Sequence, residues 1–489
     1  MARTPCAARP LTPCAARPLT PCAARPLTPC AALALALCAA LAGARTARAD
    51  ALTHDARTLA RAGGSVVSAD GGAALDVNPA GLARRSVRRI ALGATLADER
   101  ARFRATGFGA FDAAETRDRA PTRTSLAGHF ISGIGTRVVA GLAYSGPGSV
   151  RFDAPAPVGA TAPVATGCDD RCAAPHRYGG TRLDLSRHAL AAGLAVRLTP
   201  WLAAGAAGEV AHVGLAATRM VWGGRTVGNT PGELDPAFDA LLEFDTTAAL
   251  VPGATVGLIA APRGLPIELG LALTAESEAR LAGTARLHDG RGRLDGSAGV
   301  TALSAPDARA ELTLPGELTV RAGVRLLAAR AAAELSAEFT HREGQPVASL
   351  AGLSLRHDDG ATAEVTQAPL GPTLIDAHAL RIAADVDLIP GFLTLTVAWA
   401  FRSAGLVASS ASPAWTGDGG HVLAAGVEAR AGDVTVVVGI ARTLDAEFSL
   451  APGDARVLAP FVAGPPALPG TIATDALRIG ISVELALPD

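Results

Sequence analysis

The chain of 489 residues contains no lysine, two methionines and few aromatic residues, which make up 4% of the sequence. Every strongly basic residue is therefore arginine, and no basic cluster is interleaved with aromatic residues, which argues against a nucleic-acid partner. After residue 49, no stretch of about 20 apolar residues is free of charge and proline, so the sequence does not predict a membrane-spanning helix.

Motifs for catalysis and cofactor binding are also missing. No phosphate-binding G-x-x-x-x-G-K-[ST] or dinucleotide-binding G-x-G-x-x-G element stands between a strand and a helix. The nucleophile motif G-x-S-x-G and the zinc motif H-E-x-x-H are absent. We therefore predict no enzymatic activity, no catalytic residue, no cofactor and no metal. A membrane-embedded serine–histidine hydrolase using His129 or His421 is the enzymatic alternative.

The N-terminal region has the pattern of an export leader. Three perfect copies of PCAARPLT occupy residues 5–28 and lead into an apolar stretch from Ala31 to Ala42. Arginines precede that stretch and Ala47-Arg48-Ala49 follows it, which predicts a secretory signal peptide cleaved before Asp50. Residues 1–49 are thus predicted to be a repeat-bearing leader. The remaining chain has 38 basic and 45 acidic residues, a net charge of about -7.

Two cysteines remain after the leader is removed. They are Cys168 and Cys172, and an oxidising exterior favours a disulfide between them. Because His176 follows four residues later, a metal site is the alternative for this loop. A lipoprotein anchor at Cys38 is the alternative for the leader, although Leu37 lies where such anchors need a small residue.

Apolar and polar residues alternate with a period of two through most of the mature chain. In residues 318–326, Leu, Val and Ala alternate with Thr, Arg and Gly. Segments of about ten residues with one apolar and one polar face are typical of transmembrane β-strands. A soluble β-sandwich also alternates and is the alternative fold. Charges on the polar faces are expected to line a solvated lumen, as for Arg321, Arg325, Asp385 and Asp387.

The connections between these segments favour a barrel. Short turns alternate with long connections, as in outer-membrane barrels. Fifteen segments qualify as strands, an odd number, but assigning 342–375 to one outer connection removes the segment 347–357 and restores the alternation. The sequence then predicts an antiparallel barrel with both ends on the periplasmic side. Its fourteen strands lie near 86–97, 124–132, 136–145, 182–198, 201–221, 240–261, 265–282, 312–327, 331–341, 376–388, 391–402, 421–431, 433–442 and 476–487.

The run from Gly63 to Leu82 precedes the first strand and is rich in glycine and other small residues. Asn78 followed by Pro79 predicts a helix start, with an N-cap side chain and then a proline. Gly63-Gly64, Ser68-Ala69-Asp70 and Asn78-Pro79-Ala80-Gly81-Leu82 together resemble the N-terminal hatch of FadL/TodX-type outer-membrane transporters. Fourteen is also the strand number for which that family is known.

This resemblance implies a hatch at 50–85 inside a transmembrane barrel at 86–489. It implies passive uptake of hydrophobic molecules, such as long-chain fatty acids, across the Gram-negative outer membrane. In that family the hatch rearranges and the ligand leaves sideways through a kinked wall strand. Strand glycines favour bends, so Gly141 is a candidate kink of the lateral gate. The candidate hatch and gating residues are Asn78, Pro79, Ala80 and Gly81.

The partners implied by the resemblance are a hydrophobic ligand, outer-membrane lipids with lipopolysaccharide, and the barrel assembly machinery. A porin-like channel for polar solutes and a structural or adhesive surface barrel are the alternative functions. Amphipathic rings favour membrane interfaces. We therefore expect interfacial positions for Trp201 and Phe392 at short turns, and for Trp399, Phe401 and Trp222 near outer strand ends.

Overall fold

The computed structural model describes residues 55–84, 88–106, 115–118, 120, 122–153, 176–225, 234, 238–289, 299–415, 419–451, 454, 456–463 and 469–488. The predicted leader at 1–49 lies outside these residues, as do Cys168 and Cys172. None of the described helices has the length and apolar character needed to cross a bilayer.

Strands dominate the described residues, as the alternating pattern predicts. They are β1 (Arg89–Ala105), β2 (Glu115–Arg117), β3 (Arg123–Ile134), β4 (Val138–Asp153), β5 (Arg182–Thr199), β6 (Leu202–Trp222), β7 (Asp239–Ala260), β8 (Ile267–Glu276), β9 (Ala279–Asp289), β10 (Val300–Leu314), β11 (Glu317–Leu327), β12 (Ala331–Arg342), β13 (Val347–His357), β14 (Thr362–Glu364), β15 (Gln367–Pro369), β16 (Ala377–Ile389), β17 (Leu393–Arg402), β18 (Gly420–Ala431), β19 (Val434–Leu450) and β20 (Gly470–Ala486).

Fourteen of these strands close into an antiparallel barrel. Their order is β1, β3, β4, β5, β6, β7, β8, β11, β12, β16, β17, β18, β19 and β20. β20 pairs back with β1 from Ala486 opposite Arg89 to Gly470 opposite Ala105. This closure satisfies the backbone groups that an open sheet would leave unpaired at its edges. The predicted fourteen-stranded barrel is confirmed.

Several strands continue beyond the barrel at the end opposite Arg89 and Ala486, which is called the outer end, and form an outer extension there. β9 pairs with the outer half of β7, and β10 pairs with both β9 and β13. β14 and β15 pair in turn with β13. Residues 342–375, predicted as one outer connection, therefore contain the strands β13, β14 and β15. The segment 347–357, which was removed from the predicted strands to restore the alternation of connections, is the strand β13 of this extension.

The outward face of the barrel carries a belt of exposed apolar side chains. Leu92 is 69% exposed, and the same phase of alternation exposes residues on the other strands. Trp201, Phe392 and Phe401 are also exposed, as expected for interfacial rings. Trp222 is only 2% exposed, so its predicted interfacial position is wrong. The belt includes Leu92, Leu96, Leu142, Leu194, Leu258, Leu271, Leu326, Ile382, Val397, Val438, Ile479 and Ile481.

Trp222 lies inside because the outer strand ends wrap a second apolar region. Trp222 packs with Tyr178, Met220, Leu234 and Val457. Beside it, strands β5, β6, β7, β9, β10 and β13 contribute buried side chains to a larger group, here called the outer apolar cluster. Its members include Leu183, Leu185, Leu215, Ala217, Val221, Leu242, Phe244, Leu281, Leu312, Leu350, Leu353, Leu355 and Ala368.

Three short helical elements precede the barrel. They are α1 (Ala56–Ala60), α2 (Ala73–Val77) and a 3₁₀ helix at Pro79–Arg84. Asp55 caps α1, because its side chain accepts a hydrogen bond of 2.6 Å from the Thr58 N–H. Elements of one or two turns are marginal alone. Their stability therefore depends on contacts with the barrel wall.

Candidate functional site

The segment Asp55–Arg84, here called the N-terminal segment, packs against the inward faces of the barrel strands. Nearly all of its side chains are buried. Leu75, Val77 and Leu82 form an apolar cluster with inward residues of β3, β4, β5 and β6, whereas Leu59 packs with residues of β17, β18 and β19. One short segment thus reaches opposite sides of the wall.

Asn78 joins two parts of the N-terminal segment to the wall. Its side chain is fully buried and its Nδ2 donates to the carbonyl oxygens of Val66, at 2.7 Å, and Leu258 of β7, at 3.2 Å. Its Oδ1 accepts from the Ala80 N–H at 3.3 Å. The 3₁₀ helix begins at Pro79, which is the helix start that the sequence predicts. Pro79, Ala80 and Gly81 are buried beside it.

Inward glycines of the wall make room for this segment. A Cβ atom on Gly257 would overlap Asn78 Oδ1. One on Gly205 would stand 2.6 Å from the Pro79 carbonyl oxygen, and one on Gly270 would stand 2.8 Å from that of Val66. Such separations are too short for any real side chain. We call the glycines whose missing side chains face the segment the glycine seat: Gly141, Gly193, Gly205, Gly257, Gly270, Gly323, Gly426, Gly439 and Gly480.

The glycines of this seat lie opposite one another on neighbouring strands. Gly141 pairs with Gly193, Gly205 with Gly257, and Gly270 with Gly323. On the other side, Gly439 pairs with both Gly426 and Gly480. Glycine weakens a strand interior because it adds entropy to the unfolded chain and packs nothing. Its repeated use at facing positions is explained by the close approach of the N-terminal segment.

An ion-pair network fixes the first helix of the segment to the wall. Arg57 Nε donates to Glu428 of β18 at 2.9 Å, and its Nη1 lies 2.8 Å from Asp70 Oδ1. Glu484 of β20 is 3.7 Å from the same guanidinium. These groups are largely shielded from solvent, so salt screens their attraction less than at an exposed pair.

Arg61 makes the second connection. It pairs with Asp385 of β16 and its Nη1 donates to Ser68 Oγ at 2.6 Å. Glu334 of β12 accepts the backbone N–H groups of Val67 at 2.8 Å and Ser68 at 3.1 Å. A carboxylate that receives two main-chain hydrogen bonds defines the path of the chain as well as neutralising charge. The turn before α2 is thereby held against β12 and β16.

Further charges line the inward face near the segment. Arg84 lies 2.8 Å from Glu268 of β8. Arg325 lies 3.4 Å from the same carboxylate and 3.3 Å from Asp385. Glu338 accepts from Arg321 at 2.6 Å and lies 3.2 Å from Arg381. The predicted lumen charges Arg321, Arg325 and Asp385 thus face inward, and Asp387 accepts a hydrogen bond from Thr394 Oγ1.

Two small cavities remain between the segment and one side of the wall. The first lies beside Gly72 and Ala73 and is also lined by His129 of β3, Ser145 of β4 and Glu209 of β6. The second lies below Leu75 and Asp76 against β6, β7 and β8. Both cavities therefore lie beside α2, between the close contacts that the seat glycines make.

Gly141 lies in a regular part of β4, opposite Ile131 of β3 and Gly193 of β5. A Cβ atom there would stand 3.2 Å from Leu82 of the N-terminal segment. The pairing of β4 with β5 shifts by one residue further along the strand, between Ser145 and Gly148. The gating role of Gly141 stays a prediction.

The histidines considered for other chemistry lie in three different surroundings. His421 is on the outward face and packs on Trp399 and Phe401, and His129 lies against Gly71 and Gly72. His176 is buried between the rings of Phe103 and Phe152. Within the described residues no group of three His, Cys, Asp or Glu side chains could hold a metal.

No protein-family model and no curated protein matches this sequence. Solved structures do match. A FadL homologue from Pseudomonas aeruginosa superposes with a TM-score of 0.65 at 15% identity, covering 91% of this chain and all of its own. The toluene transporters TodX from P. putida and TbuX from Ralstonia pickettii give TM-scores of 0.62 and 0.59 at 13% and 12% identity. Each covers 90% of this chain and 100% of its own. The chain has the FadL/TodX-type fold.

Within this FadL/TodX-type fold, the predicted residues Asn78–Gly81 lie against wall residues that the sequence did not single out, and their gating role stays a prediction. The seat glycines left a signal, because Gly270 and Gly323 occupy the polar phase of strands whose other phase is apolar. No sequence pattern identified Arg57 and Arg61, because their partners Glu428 and Asp385 are more than 300 residues away along the chain.

Proposed function

We propose that this protein is a channel of the Gram-negative outer membrane for the passive uptake of hydrophobic molecules, with the N-terminal segment as its hatch. One observation carries the proposal: the barrel is apolar on its outside and its own N-terminal segment is seated against its inner wall. An apolar belt is stable in hydrocarbon, and a closed barrel leaves no backbone group unpaired there.

The ligand class follows from the proteins that share the fold and from the polarity of the interior. A FadL homologue and toluene transporters have this fold, which supports hydrophobic ligands such as long-chain fatty acids or monoaromatic hydrocarbons. The outer apolar cluster offers such a molecule an environment that it prefers to water. The segment below then rearranges to let it pass.

We place the exit beside β4, where the wall pairing is incomplete. β3 and β4 pair from Ile134 opposite Val138 to Leu126 opposite Gly146. Beyond Gly146, the described part of β4 pairs with β5 alone. The cavity at Gly72 and Ala73 lies just inside this position. A hydrophobic solute that is released laterally here enters the acyl-chain region of the bilayer without crossing a polar layer.

Uptake and conductance together test the proposal. The protein is expressed in a Gram-negative strain that lacks its own channels of this fold, and uptake of labelled oleate and toluene is measured against the empty strain. We expect uptake of at least one of them, with little steady current across planar bilayers. A large ohmic current would favour the porin-like alternative. A correctly assembled barrel that takes up neither ligand would favour a structural or adhesive role.

A further inference from the structure

Five histidines on the outward face of the barrel lie at one level. Each is ten or eleven residues from the inner end of its strand, the end opposite the outer end. They are His188 of β5, His212 of β6, His341 of β12, His378 of β16 and His421 of β18. His421 packs on Trp399 and Phe401, and His378 packs on Phe339. Rings that combine an apolar body with a polar atom favour a membrane interface, so this row, here called the histidine level, marks the outer boundary of the hydrocarbon.

The outward face of β1 changes from apolar to basic at the same level. Ile90 and Leu96 are exposed in the lower part of this strand. Ten residues of strand rise about 25 Å at a tilt of about 40°, which is the height of the apolar band of outer-membrane barrels. From the tenth residue after Ile90 to the end of the strand, the exposed residues are Arg100, Arg102 and Arg104, here called the arginine column.

The short strand β2 adds a fourth arginine to this face. Arg117 lies directly opposite Arg102, and both side chains are exposed. Side chains in such a pair have Cβ atoms about 5 Å apart, and like charges there repel each other. Arg117 also pairs with Glu115 at 2.7 Å, but 69% of its side chain is exposed. An anion placed between Arg102 and Arg117 would relieve their repulsion.

The carboxylates on this face leave the column accessible to such an anion. Arg100 lies 2.9 Å from Asp98, with 68% of its side chain exposed. Exposed ion pairs are weak, so a stronger anion can compete for them. Among the residues that the structure describes, the Arg104 side chain makes no ion pair or hydrogen bond. The other carboxylates nearby are Asp475, which lies opposite Arg100 and 3.2 Å from Arg442, and Glu447 of β19.

We propose that the arginine column and Arg117 bind the phosphate groups of a phosphorylated, acylated sugar lipid of the outer leaflet, the lipid A part of lipopolysaccharide. Guanidinium groups present paired N–H donors that match phosphate oxygens. The apolar stretch of β1 continues directly into the column, so one molecule can lay its acyl chains along Leu92 and Leu96 and its phosphates on the arginines. This continuity favours a lipid over a soluble anion. The inference rests on the proposed outer-membrane location and is independent of the ligand that the channel carries.

Three lipids separate the phosphate groups from the acyl chains. Binding of bisphosphorylated lipid A, of the same lipid with both phosphates removed, and of phosphatidylglycerol is measured by native mass spectrometry of the purified protein in detergent. The wild-type protein should bind bisphosphorylated lipid A about 10- to 100-fold more tightly than the dephosphorylated form, the range expected for hydrogen bonds to a charged group. Equal affinity for these two forms would overturn the inference. Equal affinity for phosphatidylglycerol would overturn the choice of lipid A.

Variants locate the phosphate site. An arginine near a charged lipid surface contributes enough to change affinity about fivefold. Arg104→Gln should therefore weaken binding of bisphosphorylated lipid A about fivefold, and the double variant Arg102→Gln/Arg104→Gln about twentyfold. Neither should change the affinity for the dephosphorylated lipid by more than twofold. Arg280→Gln, at an arginine of β9 that is 84% exposed and pairs with Glu278, is the matched control and should bind as wild type.

The remaining outcomes also decide. If the variants weakened binding of both forms of lipid A equally, the arginines would act only on the structure of β1, and the inference would be wrong. If the double variant failed to assemble, Arg104→Gln and the wild-type comparison would still decide. Uptake of oleate and toluene by Arg104→Gln should equal that of wild type. A protein that binds bisphosphorylated lipid A selectively but takes up neither ligand would refute the proposed channel function and leave this inference standing.

Discussion

Asn78 Oδ1 lies where a Cβ atom on Gly257 of β7 would stand. Such an atom would overlap Oδ1 and lie 2.8 Å from Asn78 Cγ. The wall and the segment are therefore complementary at the level of single atoms. Asn78 also donates to the Leu258 carbonyl oxygen on the same strand. The missing side chain and the hydrogen bond act together, because only a close approach brings Nδ2 within reach.

Enlarging Gly257 should loosen the N-terminal segment without unfolding the barrel. Overpacking costs about 1–3 kcal/mol, so we expect Gly257→Val to raise the rate of trypsin cleavage after Arg61 and Arg84 about tenfold. Gly208→Val is the matched control, since a Cβ there meets nothing within 4 Å. Equal cleavage of the two variants would show that the seat does not hold the segment. Heat-modifiable gel mobility reports whether each barrel assembled.

Changes at Asn78 and Pro79 should reduce uptake while the barrel assembles normally. Asn78→Ala removes both hydrogen bonds from Nδ2, and the loss of the donor to the buried Val66 carbonyl group costs about 1–3 kcal/mol. Pro79→Ala frees the first position of the 3₁₀ helix. Asn78→Asp keeps the shape but places a buried carboxylate against two carbonyl oxygens, so it should reduce uptake at least as much as Asn78→Ala. Normal uptake of oleate and toluene by Asn78→Ala and Pro79→Ala would refute the hatch function.

The exit beside β4 can be tested by restoring regular pairing. β4 has one residue more than β5 between Ser145 and Gly148, so deleting Pro147 should remove the irregularity. We expect uptake to fall at least severalfold with unchanged barrel assembly. Gly141→Val tests the position predicted from sequence, where the new side chain would press on Leu82 and Leu75. Wild-type uptake by Gly141→Val in an unaltered barrel would exclude Gly141 from gating.

His176 should make the protein sensitive to acid. Burial, helped by the nearby charge of Arg177, lowers the pKa of His176 from 6.5 to about 3. Between those values the unfolded chain binds the proton and the folded chain does not. Stability is then unaffected above pH 6.5 and falls by about 1.4 kcal/mol for each pH unit as the pH drops toward 3.

The melting temperature in detergent, measured from pH 7.5 to pH 4, checks this effect. His176→Leu should show a smaller loss of melting temperature over that range than wild type, because the titrating group is gone and an apolar side chain packs between Phe103 and Phe152. His212→Leu, at an exposed histidine of β6, is the control. An unchanged pH dependence in His176→Leu would contradict the prediction.

The period-two alternation predicted the barrel strands because the two faces of each strand have different surroundings. Leu318, Val320 and Leu326 are exposed on the outer face of β11, whereas Thr319 and Arg321 are buried inside. Consecutive residues differ in polarity, so the local sequence is enough to predict such a strand. The helix start at Pro79 is equally local, since cap and proline are neighbours.

The same pattern does not show which strands belong to the barrel wall. Residues 347–357 alternate and qualified as a strand, but they were assigned to a connection because β13 pairs with β10, β14 and β15 outside the barrel and so does not fit the alternation of its turns. Trp222 was expected at a membrane interface and lies inside for a related reason: the outer strand ends enclose their own apolar interior. Periodicity shows that a residue is apolar, but not which surface buries it.

By itself, the sequence determined most strands of the barrel and their outward apolar faces, because these depend on neighbours two residues apart, although 265–282 and 312–327 each span the break between two strands. Only the tertiary structure decided that nine wall glycines face the N-terminal segment and that Arg57 meets Glu428, 371 residues away. Such relationships arise when closure of the barrel brings distant inward positions together, and no local pattern encodes that choice of partner.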